Sequence, residues 1–257
     1  WRARPQGKVP EFADLRADDA RALVSGFLGK ARDGGWLPPE EARDLLGFYG
    51  VPLVDTRRAT SEDTAASVAA ELGGHVVVKA NVPGLVHKTD AGAVQLDVRT
   101  QEDVRDAYAA FTARFGERLS GVLIQPMISG GTEVIIGVVQ ELMFGPLVVF
   151  GLGGVATEVL GDHIARLTPL TDTDADELIH AIHAAPLLLG HRGNPAADIG
   201  ALREILLRVS RLADDLPEIA ELDLNPVIAR PDGVFAVDAR IRLAPAEPLD
   251  PFLRRLP

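Results

Sequence analysis

Lys79 and Lys88 are two of only four lysines in a chain of 257 residues that otherwise uses arginine for positive charge; the others are Lys8 and Lys30. Lys79 ends the run Val76-Val77-Val78, and Lys88 lies nine residues on, within His87-Lys88-Thr89-Asp90-Ala91-Gly92. An ammonium at the end of a buried strand is costly unless it meets an anion. Gly84 and Gly92 serve as hinges, so that one lysine is fixed on a sheet while the other stands with His87 at a loop tip. That arrangement suits phosphate binding. It also suits a structural reading, in which Lys79 snorkels from the strand end and His87-Lys88 is a solvated turn. The pattern leaves both open.

A second constellation is Phe150-Gly151-Leu152-Gly153-Gly154-Val155-Ala156, directly after the strand-like Leu147 to Phe150. Gly151, Gly153 and Ala156 satisfy the dinucleotide fingerprint, which would require a further strand ending in an acid about twenty residues on. Asp172 stands there, but the preceding Thr168-Pro169-Leu170 is short and broken by proline. The glycines more safely indicate a backbone that closely approaches a phosphate or another segment.

The third is Glu221-Leu222-Asp223-Leu224-Asn225-Pro226, followed by the turn Pro231-Asp232-Gly233 and then Val234 to Asp238. Alternation gives a strand with one polar face, and the turn predicts an antiparallel hairpin. With Pro231 and Asp232 at the turn centre, Asn225 faces Asp238. An amide and a carboxylate are hard oxygen donors that suit a partly hydrated Mg²⁺ shared with nucleotide phosphates. A bulge at Gly233 would spoil that pairing. His180 and His183 are spaced to chelate a metal, but nothing else converges on them. No P-loop and no His-Glu-x-x-His sequence is present.

The elements needed to position these groups are legible. A helix is expected from Pro38-Pro39-Glu40-Glu41 through Tyr49, a second from Ser61 to Leu72, a third from Thr100 to Phe111, and a fourth from Ile199 to Leu212 with Asp198 as N-cap. Strands are expected at 76–79, 93–98, 122–124, 134–139, 147–150 and 222–228. This mixture gives an α/β or α+β fold. The expected division is a linker and docking helix over 1–36, an N-terminal lobe over 37–120, a C-terminal lobe over 121–243 and a tail over 244–257.

The net charge is −11 and no Lys/Arg tract occurs, which argues against nucleic-acid binding. The longest uncharged stretch, Leu142 to Thr157, has 16 residues with four glycines and a proline, too short and broken to span a membrane. The chain has no cysteine, which excludes thiolate chemistry and favours a reducing, cytoplasmic setting. It begins at Trp1 with no signal-peptide pattern and reads as a piece of a longer protein.

Taken together, the segments resemble the ATP-grasp domain of the NDP-forming acyl-CoA synthetases, which include ADP-forming acetate–CoA ligase and are related to the succinyl–CoA ligase β subunit. The resemblance rests on ten ordered stretches over about residues 37 to 243. Besides the three constellations, these include Glu40 to Pro52, Val122-Leu123-Ile124-Gln125-Pro126-Met127, Glu133 to Gly137, Phe144-Gly145-Pro146, Arg192 to Pro195 and Val237 to Arg240. It implies a two-lobed ATP-grasp fold with ATP/ADP between the lobes. By the same resemblance Lys79 contacts the nucleotide phosphates, Val86 and Gln125, Pro126 and Met127 line the nucleotide, and Glu133 holds it from the second lobe. Asn225 and Asp238 correspond to Mg²⁺ ligands, and His87 to a histidine that carries a transient phosphoryl group. Lys88, with Gly153 and Gly154, would offset the phosphoryl charge.

Two departures stand out: Gln140 to Met143 occupies the place of an aspartate–proline pair, and Ala93 replaces a glycine. The implied partners are CoA-binding and CoA-ligase domains absent from this chain. The principal alternative is a nucleotide-sensing module fused to a protein acetyltransferase; a third reading, a Rossmann domain, predicts NAD binding without Mg²⁺.

Overall fold

The computed structural model describes residues 7–85, 91–141, 143–154, 161–191, 193 and 195–246. The chain divides into two compact units, Val54–Ser129 and a discontinuous unit formed by Trp1–Leu53 with Gly130–Pro257.

The smaller unit is a four-stranded antiparallel sheet in the order β2-β5-β3-β4, built from β2 (Arg57–Ala59), β3 (Val76–Ala80), β4 (Val94–Val98) and β5 (Val122–Pro126). Helices α3 (Glu62–Glu71) and α4 (Gln101–Phe115) start where their caps dictate. The Ser61 hydroxyl accepts from the Thr64 N–H, and Thr100 forms a reciprocal capping box with Asp103. Ala65, Ala69, Val104, Ala107 and Phe111 pack on Val76, Val78, Ala80, Val122 and Ile124. Alternation therefore turns Val77, Lys79, Leu123 and Gln125 to the opposite face of the sheet.

The larger unit is a mixed assembly around a seven-stranded antiparallel sheet, in the order β1-β11-β9-β6-β7-β8, with β10 also pairing β9. Its strands are β1 (Gly35–Trp36), β6 (Thr132–Glu141), β7 (Gly145–Leu152), β8 (His163–Leu167), β9 (Ile219–Arg230), β10 (Gly233–Ala236) and β11 (Ala239–Leu243). Its helices are α1 (Ala17–Lys30), α2 (Pro39–Phe48), α5 (Asp172–Ala181), α6 (Ala185–Leu188) and α7 (Ile199–Asp215). Asp198 caps α7 as expected, accepting from the Ala201 N–H at 2.9 Å. Ala20, Leu45, Leu46, Leu178, Leu202 and Leu206 pack against Val134, Ile136, Val138, Leu222, Leu224 and Ile241, covering one face of the sheet.

The division differs from the expected boundary at residue 120. β5 pairs with β2 and β3 in the small sheet, so that unit runs to Ser129. Residues 37–53 belong to the larger unit and not to the small lobe, and the expected docking helix is present as α1, packed on that same unit. Gly35 and Trp36 add an edge strand against Leu243 and Arg242, and Ala20 and Val24 of α1 are buried.

Arg208 of α7 fastens that N-terminal segment. Its guanidinium donates to the Tyr49 carbonyl at 3.0 Å, pairs with Asp14 at 3.0 Å and Glu204 at 2.9 Å, and lies 4.4 Å over the Phe12 ring. Replacing Arg208 with alanine leaves a buried carbonyl unpartnered and removes this packing. The expected loss is about 2–4 kcal/mol of unfolding free energy, read from urea denaturation.

Candidate functional site

On the small sheet, Lys79 and Gln125 share one face. Lys79 is opposite Leu123, and Val77 is opposite Gln125. Both polar side chains are buried, at 6% and 5% exposure. The Gln125 amide is fixed from one side: Nε2 donates to Thr56 Oγ1 at 2.6 Å, and that hydroxyl donates to the Val54 carbonyl at 2.9 Å. Pro126 ends β5 opposite Val76, and the Met127 N–H donates to the His75 carbonyl at 2.9 Å. The strand leaving the sheet is thereby held with Gln125, Pro126 and Met127 in sequence along one edge.

Val86, His87 and Lys88 lie outside the described residues. Their frame is described on both sides. Gly84 and Gly92 have positive φ values of 76° and 59°, which glycine adopts without strain, and the Ala80 N–H donates to the Ala93 carbonyl at 2.8 Å.

On the larger unit, Glu133 meets the glycine turn. The Gly153 N–H donates to the Glu133 carbonyl at 2.8 Å. A β-carbon on Gly153 would stand 2.9 Å from the Glu133 carbonyl carbon and the Val134 nitrogen, and one on Gly154 would stand 3.0 Å from Glu133 Oε2. The glycines are there because the backbone runs against this acid. Gly153→Ala is expected to push the backbone off Glu133 and Val134 at a cost of about 1–3 kcal/mol of unfolding free energy, read from urea denaturation.

The hairpin is unbulged at its turn. Gly233, Val234, Phe235 and Ala236 pair with Arg230, Ala229, Ile228 and Val227, and the same register continues through Ala239 opposite Leu224. Asn225 therefore faces Asp238, with its N–H donating to the Asp238 carbonyl at 3.2 Å. The β6–β9 register shifts between Val134 and Ile136, where Asn225 and Pro226 together oppose Ile135. Pro226 has no N–H for the ladder, and a bulge beside it re-aims the neighbouring side chain.

Leu222 and Leu224 enter the core, so Glu221, Asp223 and Asn225 occupy the other face of the sheet. Asp223 was visible in the sequence only as one member of that polar face. Burial pushes its carboxyl above the usual range, Arg240 opposite pulls it down, and Asp238 and Glu221 push it up again. Among the described residues no three His, Asp or Glu side chains converge into a metal cage. Asn225 and Asp238 are set opposite each other by the backbone register, and the Asp238 Oδ1 accepts from the Ala239 N–H at 3.1 Å.

Other candidates fall away. Beyond the glycine turn the chain returns as β8, antiparallel to β7, and Asp172 caps no strand but receives the Lys8 N–H at 2.8 Å. A Rossmann unit needs a parallel crossover there, so that reading is excluded. His180 bonds the Asp176 carbonyl through Nδ1, whereas the His183 ring is 97% exposed and beyond the end of α5. They do not form a chelating pair.

Comparison with known proteins agrees with this geometry. Residues 29–243 match the family described as "ATP-grasp domain". The beta subunit of acetate–CoA ligase [ADP-forming] I from Pyrococcus furiosus is 40% identical over 233 residues, covering 89% of this chain and 99% of that protein. Acetate–CoA ligase [ADP-forming] I from Archaeoglobus fulgidus is 38% identical over 92% of this chain, which spans 35% of that longer protein. A chain of Ca. Korarchaeum cryptofilum dinucleotide forming acetyl-coenzyme A synthetase 1, solved with coenzyme A and Ca-AMPCP, superposes with a TM-score of 0.81 at 39% identity, covering 87% of this chain and 99% of its own. The same enzyme solved with Mg-AMPPCP has its phosphohistidine segment pointing towards the nucleotide binding site; the TM-score is 0.76 and the identity 38%, with 87% of this chain and 99% of that one covered. The match over most of the chain settles the lineage: the chain belongs to the ATP-grasp family, as the ATP-grasp part of the ADP-forming acyl-CoA synthetases.

Proposed function

We propose that this chain binds Mg²⁺-ATP and exchanges a phosphoryl group between ATP and His87, on the way to or from an acyl phosphate. The observation that carries this reading is the register that sets Asn225 against Asp238 on the same sheet that bears Glu133 and the glycine turn.

In this reading Lys79 meets the phosphate oxygens, Gln125, Pro126 and Met127 border the base, and Glu133 holds the nucleotide through its carboxylate. Asn225 and Asp238 hold Mg²⁺, with Asp223 beside them; the ion, when bound, draws negative charge off the phosphates. A ring nitrogen of neutral His87 donates its lone pair to the γ-phosphorus. The N–P bond forms as the bridging P–O bond breaks, and its electrons leave with ADP. Imidazole suits this task because it is a neutral nucleophile near pH 7 and a good leaving group in the reverse step. Lys88 and the N–H groups of Gly153 and Gly154 compensate charge on the moving phosphoryl, and positioning supplies most of the remaining acceleration.

The acid and CoA chemistry belongs, on this reading, to CoA-binding and CoA-ligase domains. These are a partner subunit in the arrangement of the Pyrococcus relative, or the rest of one chain in that of the Archaeoglobus relative. Both are ligases, which favours this reading over the acetyltransferase-fused sensor. The absence of cysteine supports a cytoplasmic setting, and no helix among the described residues is long and apolar enough to cross a membrane.

The test is incubation with Mg²⁺ and γ-labelled ATP. The expected product is protein-bound label that is stable to base and lost in acid. Absence of label at ATP concentrations that saturate the site would overturn the transfer step.

A further inference from the structure

Asp162 is one of few charged side chains buried in the larger unit, at 6% exposure, and nothing in the proposed phosphoryl transfer uses it. Its carboxylate is spent entirely on one corner of the chain. Oδ1 accepts from the His183 N–H at 2.7 Å and faces His183 Nδ1 at 3.1 Å, while Oδ2 accepts from the Ala184 N–H at 2.8 Å. Burial alone pushes this carboxyl up, but these donors more than offset it and hold it below the usual carboxylate range. A charge buried among backbone N–H groups fixes the position of both partners, because moving either leaves it unsolvated.

The backbone of Asp162 points the other way along the same path. Its carbonyl accepts from the Leu152 N–H at 3.0 Å, and Gly151 packs so closely that a β-carbon there would lie 2.7 Å from that oxygen. One residue on, the Gly153 N–H reaches the Glu133 carbonyl. From the 183–184 corner the chain runs through α6 to the Leu187 carbonyl, which accepts from Thr132 Oγ1 at 3.4 Å. Thr132 is the neighbour of Glu133. The contacts thus close a ring: Glu133, Gly153, Leu152, Asp162, His183–Ala184, Leu187, Thr132 and back to Glu133.

We infer that Asp162 is a positioning residue that locks the Glu133 carboxylate into the geometry that receives the nucleotide, acting through the ring and not by touching ATP. The inference rests on the proposal that Glu133 and the glycine turn hold ATP.

The test is a double-mutant cycle on the full chain, with Mg²⁺-ATP affinity measured by calorimetry for wild type, Asp162→Asn, Glu133→Gln and the pair. Asparagine keeps the size but gives up the second acceptor oxygen. The expected result is about tenfold weaker binding for Asp162→Asn alone, shrinking to less than about twofold in the Glu133→Gln background, because the ring then positions nothing. A merely structural role predicts the same factor in both backgrounds, and that outcome overturns the inference, as does wild-type affinity in Asp162→Asn. If Asp162→Asn does not fold, Thr132→Val cuts the ring at its other tie and leaves the buried carboxylate intact. Its expected loss is about threefold, again confined to the Glu133 background, and its absence overturns the inference equally. If wild type itself fails to bind Mg²⁺-ATP, the nucleotide reading falls first, a result distinct from any pattern among the variants.

Discussion

His87→Ala is expected to abolish acid-labile labelling by γ-labelled ATP while leaving Mg²⁺-ATP binding within about twofold of wild type. The separation follows from the division of labour in the site. In the proposed function, binding of the nucleotide is assigned to Lys79, Glu133 and the glycine turn and does not require a nucleophile, whereas only the imidazole supplies a lone pair that forms an N–P bond. Serine or water at that position is a far weaker nucleophile, so the loss should reach the detection limit, on the order of 10³-fold or more. The measurement is paired: label counted after base and acid treatment, affinity by calorimetry on the same preparation. Residual acid-labile label in the variant would move the transfer to another histidine and sink the assignment. His87→Gln should behave as His87→Ala does, since the amide can occupy the space but not accept the phosphoryl group.

Asp238→Asn carries the second large effect, on the metal. In the proposed metal pair Asn225 would contribute a neutral oxygen and Asp238 the negative charge, so its removal would leave two amides where a divalent cation expects a carboxylate. Transfer at fixed Mg²⁺ should fall by about 10²-fold, a loss near 2.7 kcal/mol. The Mg²⁺ concentration for half-maximal labelling should rise, and excess Mg²⁺ should recover part of the rate. Asp223→Asn, two residues from Asn225 on the same face, should show the same signature more weakly, because Asp223 is paired across the strands with Arg240, which already offsets part of its charge. Equal labelling of wild type and Asp238→Asn across a Mg²⁺ titration would remove the hairpin from the metal site.

The parts of this molecule legible in the sequence are those governed by local chemistry. The caps at Ser61, Thr100 and Asp198 announce their helices with a single side chain each, and all three are made. The Asn225–Asp238 pairing follows from Pro231-Asp232-Gly233, since the centre of a tight turn fixes the register of both arms. What the sequence concealed depends on long-range pairing. β5 is apolar enough to join either sheet, and only its partners β2 and β3 decide. β1 has two residues, one of them glycine, and exists because β11 offers an edge. β8 reads His-Ile-Ala-Arg-Leu, with no strand-like period strong enough to mark it. Asp162 gave no signal at all: a buried carboxylate looks like any other aspartate until the His183–Ala184 corner is folded against it.

The larger unit is written in two pieces of chain with the smaller one between them. As the protein emerges from the ribosome, residues 1–53 come first, yet the strand that Gly35 and Trp36 join spans Ala239–Leu243. At about 5–20 residues per second, they wait roughly 10–40 s for that partner. During this interval the 54–129 segment has all its strands and both its helices and can complete its own sheet. The apolar faces of α1 and α2 meanwhile have no sheet to cover. The order of synthesis thus makes the small sheet the early product and the N-terminal helices a late-closing clasp, so conditions that slow elongation should lengthen the window in which Leu45, Leu46 and Tyr49 remain open to chaperones.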